Sequence, residues 1–97
     1  MKVLGKLKDK NNNEGYAFYC PACEENHIVY IKGVKVPLWR FDGNEESPTF
    51  SPSVKVVYKG KPKNTICHFY IKNGTIMYLK DCTHRFAGKT ILMEEWV

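Results

Sequence analysis

The sequence reads as an all-β domain: a small antiparallel sheet, a sandwich or a partly open barrel of short strands, with a zinc-knuckle turn. Short runs rich in β-branched and aromatic residues recur at close spacing, broken by Gly, Pro, Asn and Asp. No window sustains helical periodicity, and Pro and Gly come too often for a long helix. Between two alternating apolar runs stands Asn73-Gly74, the strongest short-range hairpin signal there is.

Taken in order, "KVLGKLK" is the first predicted strand, and the polar stretch "DKNNNEG" turns it back. "YAFYC" enters the turn "CPAC", and "HIVYIKG" leaves it as the next strand. "PLWRFDG" is a short strand with a Gly stop, placing Trp39 and Phe41 on one side as core and Arg40 and Asp42 on the other. "GNEESP" is a loop. "SVKVVYKG" and "TICHFYIK" are strands joined by the basic hairpin tip "KGKPKN", and "TIMYLKD" follows across Asn-Gly. "KTILMEEWV" closes the chain.

At 97 residues a single domain over 1–97 is expected, burying roughly 60–70% of its unfolded surface around a thin core that a metal or other staple would help. Apolar residues at 43% and charged residues at 26% are ordinary for a soluble globular protein. No apolar run approaches the ~20 residues of a membrane span, so no membrane partner is expected. The opening "MKVLGKLKDK" lacks a continuous apolar region, which predicts a cytoplasmic protein with reduced or metal-bound cysteines. The formal charge is +5. Four thiolates around one zinc ion would lower it to about +3, a balance that permits nucleic acid without demanding it.

A Cys-x-x-Cys turn lets Cys20 and Cys23 point at one centre while nearby N–H groups stabilise their charge, as tetrahedral zinc requires. A redox pair would instead stand before a helix in a βαβ setting, which this chain lacks. The second pair of ligands is sought in "CHFYIKNGTIMYLKDCTH". A two-residue Asn-Gly loop pairs Lys72 with Thr75, which sets Cys67 diagonally across from Cys82 on one face. Phe69, Ile71, Ile76 and Tyr78 share that face and mark it as the core side. Cys20, Cys23, Cys67 and Cys82 are therefore the first choice for a structural zinc site, with His84 or His27 as alternate ligands.

The same register puts His68 and Asp81 together on the opposite face. A carboxylate beside an imidazole is the orienter-and-base half of a hydrolytic triad, and equally a plain surface pair. "PTFSPS" supplies Ser51 and Ser53, with Pro48 and Pro52 restricting the backbone around them. Stiffness of that kind presents a hydroxyl in a fixed direction, as a nucleophile needs, and also suits an ordinary edge segment.

"CPAC" with a nearby His, "WRFDG", "PTFSPS", "CHFYIKNGTIMYLKDCTH" and a Gly-Lys-Thr strand occur in that order. Together they resemble a small family of phage and bacterial proteins of unknown function, over roughly residues 15 to 93. Its phage members are often mislabelled ammonia monooxygenase, although nothing in this chain looks like a copper or di-iron oxidase site. Relatives beside bacterial ubiquitin-like conjugation genes are thought to be zinc-stabilised serine peptidases. The resemblance implies Ser51 as nucleophile, His68 as base and Asp81 as orienting acid, with Cys20, Cys23, Cys67 and Cys82 around structural zinc. Three readings follow. The first is a phage-type zinc protein that binds or acts on a host protein, such as a host defence protein. The second is a serine peptidase that removes a ubiquitin-like modifier, and the third is a zinc-ribbon-like nucleic-acid binder.

Overall fold

The computed structural model describes residues 1–34 and 37–96, so Val97, the last residue of the final predicted run, lies outside the described residues. Among the described residues eight strands form, and they follow the eight predicted runs in order: β1 (Gly5–Lys8), β2 (Glu14–Cys20), β3 (Glu25–Lys32), β4 (Arg40–Phe41), β5 (Phe50–Tyr58), β6 (Thr65–Lys72), β7 (Thr75–Tyr78) and β8 (Thr90–Leu92). No helix occurs among the described residues. The strands make two antiparallel sheets, β1-β2-β3 and β4-β5-β6-β7-β8, each a meander in chain order and neither closed into a barrel.

Alternation decides which face each strand buries. On β6, Cys67, Phe69 and Ile71 are buried, whereas Tyr70 and Lys72 are exposed. Across the Asn-Gly turn, Ile76 and Tyr78 continue the buried face. The predicted register holds: Lys72 pairs with Thr75, Ile71 with Ile76 and Phe69 with Tyr78. Both turn residues take positive φ, 49° at Asn73 and 75° at Gly74, as a type I′ loop needs.

Aromatic side chains fill the space between the sheets. Phe18 of β2 meets Phe69 of β6 edge-on at 5.7 Å, and Tyr16 lies 4.8 Å from Phe41 of β4. Phe41 stacks on Phe50 in turn, and Trp39 is half-buried against the core, on the side expected of it. Each such pair adds about 0.5–1.5 kcal/mol beyond the area it buries.

β5 departs from a regular strand. Phe50 pairs with Ile71 and Val54 with Phe69, so four steps along β5 match two along β6 and two residues are extra. The bulge holds Ser51, Pro52 and Ser53 opposite Tyr70. Because the excess is even, the inward–outward alternation survives it: Phe50 and Val54 point inward while Ser51 and Lys55 are exposed.

Candidate functional site

Two constellations lie on opposite faces of the β6 stretch Cys67–His68. On the inner side, β2 ends at Cys20, whose carbonyl accepts the Glu24 N–H at 2.8 Å and so closes the turn that carries Cys23. β3 then returns with His27, and β6 supplies Cys67 from the other sheet. One ligand atom from each of Cys20, Cys23, His27 and Cys67 lies within 4.8 Å of all the others. The Cys20 and Cys67 sulfurs are 3.9 Å apart, close to the ~3.8 Å that two ~2.3 Å zinc–sulfur bonds give at a tetrahedral centre. The Nε2 atom of His27 is buried without a hydrogen-bond partner, which a metal ion would satisfy.

Electrostatics fit the same use. The Cys20 thiol is pulled down to about 3, first by the Cys67 thiol aimed at it, then by His27 and the Tyr78 hydroxyl at 3.1 Å. Cys67 is pushed up, first by its bond to Cys20 and then by burial. Burial also raises Cys23. The cluster thus concentrates negative charge at one buried sulfur, and a divalent cation would relieve the cost of adding more. Three thiolates and an imidazole are a donor set consistent with zinc. A cavity of about 390 Å³ reaches this centre past Cys23, Cys67, Tyr58 and His84.

Cys82, the expected fourth sulfur, stands elsewhere. β7 ends at Tyr78, and the chain turns back through residues 79–82, closed by the Cys82 N–H on the Leu79 carbonyl at 3.2 Å. The diagonal predicted for an uninterrupted strand is therefore not formed. The Cys82 sulfur instead accepts the His68 N–H at 3.2 Å and donates to the His68 carbonyl at 3.1 Å. His84 lies beside the cavity rather than in the four-atom cluster. Its Nδ1 accepts the Phe86 N–H, its ring stands edge-on to Tyr78 at 4.8 Å, and burial favours its neutral form. His27, an alternate on sequence grounds, is the fourth member of the cluster.

On the outer side, His68 Nδ1 lies 3.0 and 3.1 Å from the two Asp81 carboxylate oxygens. Its Nε2 lies 3.1 Å from a serine hydroxyl, and the serine is Ser53. Ser51, the serine expected there, sits at the other end of the bulge opposite Arg40. The cause is the two-residue excess in β5, which Pro52 gave no way to count from sequence. The His68 side chain is 20% exposed and that of Asp81 45%, so the hydroxyl–imidazole–carboxylate chain opens to solvent. His68 holds the Asp81 carboxyl below its ordinary range, chiefly through their hydrogen bond. Lys55, which pairs with His68 across β5 and β6, brings its ammonium to 4.0 Å from the same carboxylate. The Trp39 indole N–H donates to the Ser53 carbonyl at 3.3 Å and braces the bulge from behind. Along the same face a groove of about 330 Å³ runs past Thr49, Ser51, Tyr70 and Met77.

A family model described as bacterial ubiquitination-like system serine protease, BubE, matches residues 2–79. The chain belongs to the BubE family. The match takes in all four residues of the metal cluster together with Ser53 and His68, and ends two residues before Asp81. The searches of curated proteins and of solved structures gave no match. In BubE terms, what sequence reasoning missed was the serine that reaches His68. The hint available was that Ser53 stands nearer along the strand than Ser51 to Lys55, the residue directly opposite His68.

Proposed function

We propose that the protein is a zinc-stabilised serine peptidase of a bacterial ubiquitination-like system. Its substrate would be an acyl bond, peptide or isopeptide, at the end of a ubiquitin-like modifier. One observation carries the reading: the hydrogen-bonded chain from Ser53 Oγ through His68 to Asp81. Membership of a family described as serine proteases supports it.

In this mechanism Ser53 Oγ attacks the scissile carbonyl while His68 Nε2 takes its proton. The imidazolium then returns that proton to the leaving amine, and an acyl-Ser53 ester remains. Water attacks the ester with His68 again as base, releasing the new carboxylate and restoring the hydroxyl. Asp81 keeps the proton on Nδ1, so that Nε2 faces Ser53 as the acceptor, and it stabilises the imidazolium as that forms. Zinc, held by Cys20, Cys23, His27 and Cys67, would tie the two sheets together and take no part in the reaction. The groove past Ser51, Tyr70 and Met77 on the same face offers apolar room for part of a substrate.

A fluorophosphonate should label the intact protein at Ser53, and Ser53→Ala should abolish labelling and lower kcat by roughly 10³-fold or more. Ser51→Ala should retain both. Labelling that persists in Ser53→Ala, or hydrolysis undiminished in it, would sink the assignment. The host-protein binder and nucleic-acid readings find no specific observation in their favour among the described residues.

A further inference from the structure

The Asp81 side chain is 45% exposed, and its contacts to His68 and Lys55 hold it only weakly. An exposed ion pair is worth about 0–1 kcal/mol and leaves a side chain free to wander. Catalytic orientation must then come from the backbone that carries it. The residue that follows Asp81 is Cys82, only 8% exposed, with its thiol against both backbone groups of His68. The His68 carbonyl accepts the Leu79 N–H at 2.8 Å as well, so the turn that bears Asp81 grips His68 from both ends. One residue further on, the Thr83 N–H donates to the Ile66 carbonyl at 3.0 Å, and the Ile66 N–H to the Thr83 hydroxyl at 2.9 Å.

We propose that Cys82 is a positioning residue: its thiol clamps the 79–82 turn onto the backbone of His68 and thereby fixes Asp81 against the imidazole. The inference rests on the peptidase reading for its kinetic consequence and on geometry alone for its structural one. A thiol suits the position because it donates and accepts at once and tolerates burial. Alanine would leave the His68 N–H, in the strand beneath the site, without its acceptor. The loss would be felt at the imidazole that this peptide unit supports.

The experiment compares Cys82→Ala, Cys82→Ser and Asp81→Asn in the full chain. Cys82→Ala should lower kcat and the fluorophosphonate labelling rate roughly 10- to 100-fold with KM unchanged. Cys82→Ser, which keeps a donor and an acceptor, should recover most of the loss even where the alanine variant folds poorly. In the Asp81→Asn background Cys82→Ala should cost little more, since both act through one orientation. Independently of turnover, the His68 Nδ1–H shared with Asp81 should give a downfield proton resonance by NMR. That signal should persist in Cys82→Ser and vanish in both Cys82→Ala and Asp81→Asn. A resonance undisturbed in Cys82→Ala, or zinc lost from Cys82→Ala as fully as from Cys67→Ala, would overturn the proposal. Absence of labelling in the wild type alone would count against the peptidase reading and leave the NMR comparison to decide this one.

Discussion

Asp81 shows how a single residue's environment sets its pH behaviour. Its carboxyl is held below the ordinary value of 3.8, chiefly by the hydrogen bond to His68. A lowered folded-state value means that the pairing contributes stability in full above that ordinary value. The contribution is lost as pH falls through the lowered one. Thermal melts of wild type and Asp81→Asn should therefore differ by a constant amount at neutral pH and converge below about pH 4. Activity should be more sensitive: Asp81→Asn is expected to cost roughly 10²–10³-fold in kcat, because it lets the imidazole take the wrong tautomer. Equal kcat values at neutral pH would remove Asp81 from the mechanism. At this scale the sequence was legible wherever parity alone decided. Cys67 pointed inward because the Asn-Gly turn fixes its parity, whereas His68 and Asp81 met through the 79–82 turn rather than along a continued strand. Ser53 and Cys82 were not legible, because each depends on a local break in the ladder, a bulge before one and a turn before the other.

The β6–β7 hairpin is the element on which both sites depend. Gly74 sits at a φ of 75°, and a Cβ there would meet the Ser47 Cα at 3.2 Å. Gly74→Ala should destabilise the fold by about 1–2 kcal/mol, read as a lower urea midpoint with zinc content unchanged. A midpoint equal to wild type would mean that the turn does not set the register. The eight strands were readable in advance because their boundaries are turn residues with distinct chemistry, such as the polar stretch after β1 and the Gly after β4. The start of β5 was less so. Ser51-Pro52-Ser53 looks like the end of a loop by composition, and only pairing with β6 makes it strand.

For the molecule as a whole, the four-residue cluster draws on both sheets, and a metal ion held there would cross-link them. Cys20, Cys23 and His27 come from the three-stranded sheet and its turn, whereas Cys67 comes from the five-stranded one. Zinc binding energy would then be folding energy for a thin two-layer core. Chelation should lower Tm by on the order of 10 °C or more and slow Ser53 labelling, since Cys67 adjoins His68 in the same strand. His27→Ala should purify with less than stoichiometric zinc; full occupancy in that variant would exclude His27 as a ligand. Sequence offered His27 only as an alternate ligand, because it stands on a strand of the other sheet and nothing local to the hairpin ranks it above Cys82.

Neighbouring positions on β6 serve opposite faces, Cys67 the candidate metal cluster and His68 the Ser53 hydroxyl. Strand geometry turns that adjacency into an arithmetic constraint on divergence. Between the thiol and the imidazole, an even number of inserted residues leaves each aimed at its own layer. An odd number sends both to the same side and dismantles one centre unless a bulge absorbs the extra residue. Length changes at this point of the chain should therefore come in pairs.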